Sequence, residues 1–378
     1  MSVRYFFSTG EASGELSAVL LMRAIRELDP RAQFEGIGSQ RMREEGAALW
    51  RDHTGWASMG PLAAIPRIPK LLLQMWQTAF HVARTKPDLV VLVDFGVFNM
   101  RLAKTLRERL HYAGPILDIF PPGAWLDREA TARAVSRWVI PVTAFAHQAA
   151  FYRGRGLPIQ YFGHPLLDEY AERAPRTAPP RDGGCVALLP GSRGGELHRH
   201  VPVLLRALEE LRRTRPHLRA VLGAADARAR RTLLRAAGSF GAPDLRVEIG
   251  VRAALADADA AWVSSGTAVL ETVLLGVPAI ALYVVAPSVV WYGRRMQQQI
   301  VGGRFITLPN LVASEEIVPE YLQNDATPER LARAMDDILE DPTRQAKHFG
   351  ALREALGEPG ALNRCAAFAV QLAAGAAA

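Results

Sequence analysis

The sequence predicts an α/β protein built from two Rossmann-like domains that face a central cleft. Apolar segments of strand length alternate with amphipathic helical stretches along both halves of the chain. Two Gly/Ser loops, each leaving an apolar strand and opening a helix, recur about half a chain apart. They are Tyr5-Phe6-Phe7-Ser8-Thr9-Gly10-Glu11-Ala12-Ser13-Gly14-Glu15 and Val186-Ala187-Leu188-Leu189-Pro190-Gly191-Ser192-Arg193-Gly194-Gly195-Glu196. Such a unit presents bare backbone N–H groups at a helix start, which suits anionic or polyhydroxylated ligands. Two of them point to the architecture of sugar-nucleotide transferases. Neither is a Walker A loop, because no Lys-Ser/Thr follows the last glycine.

In the first half, residues 3–8 read as a buried strand, 16–27 as a helix and 33–37 as the next strand. Residues 88–94, Asp-Leu-Val-Val-Leu-Val-Asp, read as a buried parallel strand that ends in a carboxylate. Residues 116–120 and 137–141 read as further strands, and the first domain is expected over 1–171. The Pro-, Arg- and Gly-rich stretch 172–184 reads as a linker. Strands are then expected at 186–189, 218–222, 245–248, 260–263 and 279–283, with a helix over 328–339. This second domain runs from 185 to 349. An Ala-rich helix within about 350–378 closes the chain and is expected to pack back on the first domain.

The 378 residues suffice for two ordinary cores, and 49% hydrophobic with 22% charged residues marks a folded globular chain. The formal charge of +7 favours anionic partners, although Arg used as the default solvated charge explains much of the excess. No aromatic–basic RNA motif or DNA-reading helix is present, so no nucleic-acid partner is expected. Cys185 and Cys365 lie too far apart in sequence to suggest a disulfide framework or a thiolate metal site. The N-terminus lacks a basic segment followed by a long apolar core, and no signal peptide is expected. The apolar stretch 279–292 is too short to span a membrane and contains Pro287.

Four features can carry chemistry. Asp94 ends a buried strand, where open α/β sheets place their ligands; it reads as a general base toward a sugar hydroxyl or as a cap for the next helix. Arg193, with Gly191 and Ser192, lies among loop N–H groups and can neutralise a leaving diphosphate without metal. Glu196 reads as first-turn charge. Ser264, Ser265, Gly266 and Thr267 open an apolar helix in which Glu271, one turn on, can accept from both ribose hydroxyls; the hydroxyls also read as plain N-caps. Asn310, in an otherwise apolar strand–loop, reads as a donor to the ligand or as a turn residue. Asp257-Ala258-Asp259 has the letters of a metal motif but precedes a strand in a short acidic loop. His198 and His200, two apart on a polar helix face, point in different directions. No metal and no cofactor are expected.

The stretch 55–76 stands apart. Trp56, Leu62, Ile65, Leu72 and Trp76, interleaved with Arg67 and Lys70, suit contact with an anionic lipid surface. A core helix or a dimer interface is the competing reading.

Taken together these segments resemble the lipid-A-disaccharide synthase family, inverting glycosyltransferases of the GT-B fold. The resemblance rests on Gly10-Glu11-Ala12-Ser13-Gly14, Gly163-His164-Pro165-Leu166 and Leu188-Leu189-Pro190-Gly191-Ser192-Arg193-Gly194. Ser265-Gly266-Thr267-Ala268 with Glu271, and Leu308-Pro309-Asn310-Leu311, complete it. It implies transfer of 2,3-diacylglucosamine from its UDP derivative to 2,3-diacylglucosamine 1-phosphate, giving a β-1,6-linked lipid A precursor. Asp94 matches the family's essential aspartate and Arg193 its diphosphate-side arginine. Gly10, Glu11, Ser13, Gly14 and Trp125 fall on the acceptor side, and the second domain on the donor side. A peripheral site on the cytoplasmic face of the inner membrane is implied, with a homodimer left open.

The chain departs from the family pattern twice. Asp-Ala-Pro-Asp-Phe-Asn becomes Asp94-Phe95-Gly96-Val97-Phe98-Asn99, and Ser-Pro-Ser-Val-Trp-Ala-Trp becomes Pro121-Pro122-Gly123-Ala124-Trp125-Leu126-Asp127. Both changes fall on the acceptor side. They leave open transfer to another acceptor, UDP-sugar epimerisation, and a non-catalytic donor-binding role.

Overall fold

The computed structural model describes residues 2–10, 12–53, 56, 68–123, 128–170, 174–180, 183–242, 245–285 and 305–377. The chain divides into two units, Met1–Asp168 with Leu356–Ala378, and Glu169–Ala355.

The first unit holds a parallel sheet in the order β3-β2-β1-β4-β5-β6-β7. Its strands are β1 (Arg4–Ser8), β2 (Gln33–Gly38), β3 (Ala48–Asp52), β4 (Leu89–Val93), β5 (Ile116–Ile119), β6 (Ile140–Thr143) and β7 (Gln160–Tyr161). All five residues of β4 are buried, because helices cover both faces of the sheet. Leu89, Val91 and Val93 face α1 (Ala12–Leu28) and the C-terminal helix Ala361–Ala377. Val90 and Leu92 face the other side, with α3 (Ile68–Thr85) and α4 (Gly96–Glu108). The short α2 (Gln40–Glu44), α5 (Glu129–Trp138) and α6 (Ala146–Arg153) complete the unit.

The second unit repeats the scheme in the order β10-β9-β8-β11-β12-β13. The strands are β8 (Cys185–Leu189), β9 (Arg219–Ala224), β10 (Arg246–Ile249), β11 (Ala260–Ser264), β12 (Ala279–Tyr283) and β13 (Glu320–Leu322). Helices α7 (Gly194–Thr214), α8 (Ala227–Ser239) and α11 (Pro328–Glu340) bury one face of this sheet around Trp262. Its indole N–H donates to the Leu331 carbonyl at 3.2 Å. Helices α9 (Thr267–Leu274) and α10 (Leu308–Ala313) lie between β11 and β13 in sequence.

Two expected elements are corrected. Residues 137 and 138 belong to α5, whose Ala132 and Val135 face the core, and the strand begins only at Ile140. The 308–311 segment is helical rather than a strand–loop, with Pro309 in the first turn, where its missing N–H costs nothing.

Candidate active site

Each sheet has one place where the strand order reverses direction, between β1 and β4 in the first and between β8 and β11 in the second. Open α/β sheets bind ligands at the carboxyl ends of the strands flanking such a point. The Gly10 loop leaves β1 and Asp94 leaves β4; the Gly191–Arg193 loop leaves β8 and Ser265–Thr267 leave β11. The motifs thus fall as two pairs at the two switch points. Glu11, Trp125 and the Ser13 side chain lie outside the described residues.

In the first unit, Asp94 and Phe95 both take left-handed backbone angles, φ 51° and 60°. The Asp94 amide donates to the Ile119 carbonyl at 3.0 Å, and Asp94 Oδ1 accepts the Phe95 amide at 2.8 Å. Gly14 packs directly on this turn, where a Cβ would stand 2.9 Å from Asp94 Cβ, and a side chain at Gly10 would overlap the Phe95 ring. These two glycines are thereby accounted for by close approach to the Asp94 turn. Glu15 caps α2 instead of a ligand, accepting from the Ser39 amide at 2.5 Å and its hydroxyl at 2.6 Å.

Sequence reasoning missed Asp118. It stands on β5 opposite Leu92 of β4 and is buried. Among the described residues its Oδ2 has no hydrogen-bond partner. Burial, reinforced by the Asp94 charge, pushes its carboxyl well above the usual range.

In the second unit the loop after β8 is closed by its own helix. Glu196 Oε2 accepts from the amides of Ser192 and Arg193, both at 3.2 Å, and Oε1 lies 2.9 Å from Arg193 Nη1. Gly191 is required here: its φ is +108°, and a Cβ would stand 2.5 Å from Glu196 Oε2. His200, expected on a polar helix face, is instead fully buried one turn further on. Its Nδ1 meets the Pro190 carbonyl at 2.8 Å and its Nε2 accepts the Val284 amide at 2.9 Å, tying the loop to the end of β12. Burial lowers its pKa. Ser192 is exposed and Arg193 half-buried.

Gly266 occupies the N-cap position of α9, so no side chain caps that helix. Ser265 and Thr267 are half-buried at its start, and the hydroxyl of buried Ser264 has no partner among the described residues. Glu271 is buried one turn inside, where its Oε2 accepts the Tyr170 hydroxyl. Burial and the Glu271 charge raise the Tyr170 pKa.

Asn310 requires correction as a ligand contact. It is fully buried, and its amide is saturated by protein. Nδ2 donates to the Val318 carbonyl at 2.7 Å and to Glu320 Oε1 at 2.9 Å, while Oδ1 accepts the Ile317 and Val318 amides, each at 2.8 Å. The metal look-alike dissolves as well. Asp259 Oδ2 accepts the Cys185 amide at 2.8 Å, and Asp257 lies 3.8 Å from Arg246.

Of the expected membrane contacts, Leu62, Ile65 and Arg67 lie outside the described residues. Trp56 is a correction: it is buried against Phe98 and Phe95, ring centroids 5.5 and 6.4 Å away. Lys70 and Trp76 are exposed on α3 and Leu72 is half-buried. The same helix also exposes Ile68, Leu73 and Phe80.

A family model described as lipid-A-disaccharide synthetase matches residues 5–367. The chain belongs to the lipid-A-disaccharide synthase family. It is therefore a glycosyltransferase of lipid A disaccharide formation. The Myxococcus xanthus lipid-A-disaccharide synthase is 33% identical over 98% of this chain and 97% of its own length. The Syntrophus aciditrophicus lipid-A-disaccharide synthase is 33% identical over 96% of both chains. Among solved structures, a putative UDP-N-acetylglucosamine 2-epimerase from Listeria monocytogenes superposes with TM-score 0.63 at 12% identity, over 97% of this chain and 95% of its own. The calicheamicin glycosyltransferase CalG4 superposes with TM-score 0.58 at 14% identity over 100% of both chains. At such identities the likeness speaks for the GT-B fold alone.

Proposed function

We propose that this chain transfers 2,3-diacylglucosamine from its UDP derivative to the 6-hydroxyl of 2,3-diacylglucosamine 1-phosphate. Asp94 serves as general base, and Arg193 faces the leaving diphosphate. The observation that carries the assignment of roles is the pairing of motifs at the two switch points, Gly10 with Asp94 and Gly191–Arg193 with Ser265–Thr267.

In this mechanism the Asp94 carboxylate accepts the proton as the acceptor oxygen bonds to the anomeric carbon. The bond from that carbon to the diphosphate oxygen breaks on the opposite face, so configuration inverts and UDP leaves with the electron pair. The Arg193 guanidinium and the amides of the Gly191–Arg193 loop offset the charge that develops on the diphosphate. Glu271 accepts from ribose. This contact competes with the Tyr170 hydroxyl for Oε2. Gly10 and Gly14 act on the acceptor side by admitting the Asp94 turn. The exposed apolar face of α3, with Lys70 beside it, supports a peripheral contact with the anionic inner-membrane surface, from which both lipid substrates are drawn.

The deciding assay supplies UDP-diacylglucosamine and diacylglucosamine 1-phosphate to the purified protein, without added metal, and follows disaccharide and UDP. Asp94→Asn is expected to fold and bind UDP normally yet to transfer sugar about 10²–10⁴-fold more slowly. Near-normal turnover of that variant places the base elsewhere. UDP release only with a different acceptor supports the second reading, which the departures at 121–127 favour.

A further inference from the structure

Asn99 stands in the first turn of α4, fully buried. Its amide spans the two strands that flank the switch point of the first sheet. Nδ2 donates to the Asp94 carbonyl at 2.5 Å and to the Ser8 carbonyl at 3.3 Å. Oδ1 accepts the Ser8 hydroxyl at 2.7 Å. Every hydrogen-bonding atom of this amide is thus spent on the carboxyl end of β1 or on the residue that follows β4.

The turn it holds is an unfavourable one. Two consecutive non-glycine residues, Asp94 and Phe95, sit in the left-handed region, where Cβ crowds the backbone carbonyl. Such a conformation persists only where its surroundings over-determine it. The opposite side of the turn is already fixed: at Gly14 a Cβ would stand 3.1 Å from the Val93 carbonyl oxygen, and the Phe95 ring fills the space beside Gly10. Packing against the glycines bounds the turn, and Asn99 grips the Asp94 carbonyl directly. The left-handed ψ/φ pair decides which way the Asp94 side chain leaves the strand end.

We propose that Asn99, braced by Ser8, is the positioning residue of Asp94: it locks the left-handed turn after β4 that aims the carboxylate. This rests on the reading of Asp94 as the base. A residue that acts only through Asp94 has nothing left to contribute once the carboxylate is gone. A residue that merely ties α4 to the sheet costs the same with or without it.

The experiment is a double-mutant cycle on transfer rate with the full chain: wild type, Asn99→Ala, Asp94→Asn and the double variant. UDP titration and thermal melts run alongside. Asn99→Ala is expected to lower kcat about 10–100-fold, the scale of an ångström-level misplacement, with UDP affinity within about twofold of wild type. In the Asp94→Asn background the same change is expected to alter the rate less than about threefold. Losses that multiply, or a kcat that Asn99→Ala leaves unchanged, overturn the proposal. If Asn99→Ala does not fold, Ser8→Ala runs the same cycle. It removes the hydroxyl that orients the amide, and its expected loss of about three- to tenfold vanishes in the Asp94→Asn background. Near-normal turnover by Asp94→Asn alone overturns the base reading and this proposal with it. Slow turnover by Asp94→Asn with multiplying losses overturns only the role of Asn99.

Discussion

Glu196 holds Arg193 across the mouth of the loop after β8: one carboxylate oxygen lies 2.9 Å from Arg193 Nη1, and the other takes the Arg193 and Ser192 amides. The groups proposed to receive a diphosphate are therefore engaged by a resident anion of the same chain. Glu196→Gln keeps the shape, removes the charge and weakens the hold on the guanidinium. UDP is expected to bind about three- to tenfold more tightly to this variant, uridine is expected to bind unchanged, and stability falls by about 1 kcal/mol as the helix loses its charged cap. Calorimetric titration with both ligands reads this. Weaker UDP binding makes Glu196 an aid to Arg193 rather than its competitor.

Asn310 gives the opposite kind of expectation. Its amide makes four hydrogen bonds that fix the 317–320 segment entering β13. Truncation to Ala leaves buried amides and a carbonyl unpaired, at about 1–3 kcal/mol for each group that finds no water. Asn310→Ala is expected to lower the urea midpoint markedly while UDP affinity of the folded protein stays within about twofold. A tenfold affinity loss with unchanged stability returns Asn310 to the ligand.

The central strands were legible because burial on both faces turns β4, β8 and β12, and β11 up to Val263, into apolar runs. Of the edge strands, β10 was legible and β3, β7 and β13 were not. None of the five residues of β3 is fully buried, and β7 is two residues long, so neither leaves such a run. The site divides in the same way. Glycine loops at strand ends announce themselves, since only glycine tolerates the approach seen at Gly14 and Gly191. Asp118, Tyr170 and His200 carry no local signal, because each owes its role to residues distant in sequence or to burial. Asn310 misled for the related reason that a polar residue among apolar ones reads alike whether it meets ligand or backbone.

Two buried groups set opposite pH slopes. His164 accepts the Leu166 amide through Nδ1, and burial lowers its pKa to about 4. Between the ordinary value of 6.5 and 4, the unfolded chain binds a proton that the folded chain refuses, so stability falls as pH drops through that window. His164→Asn keeps an acceptor and removes the slope. Wild type is expected to lose about 2–3 kcal/mol more than the variant between pH 7 and 4.5, measured by urea denaturation. Asp118 acts in the other direction, because burial and the Asp94 charge raise its pKa. The folded state then keeps a proton that the unfolded state releases, and stability falls as pH rises above the ordinary carboxylate range. Asp118→Asn is expected to gain on wild type from pH 4 to pH 8, and parallel curves for the two proteins contradict that.

The proposed membrane contact is best tested on α3. Met75, Thr78, Ala79 and Val82 form the buried face of this helix, while Ile68, Leu73, Trp76 and Phe80 are exposed. A continuous apolar face with a lysine at its edge gains affinity from acyl burial and from anionic headgroups together. Leu73→Glu with Phe80→Glu places two charges in that face without touching the core. Flotation with anionic vesicles is expected to fall at least about tenfold for the pair, since each carboxylate opposes both contributions. Melting temperature is expected to hold. Trp56→Ala is expected to behave in reverse, losing about 3–5 kcal/mol of stability from the cluster with Phe95 and Phe98 while the folded fraction floats normally. If the double glutamate variant floats as wild type does, the exposed face of α3 has another partner.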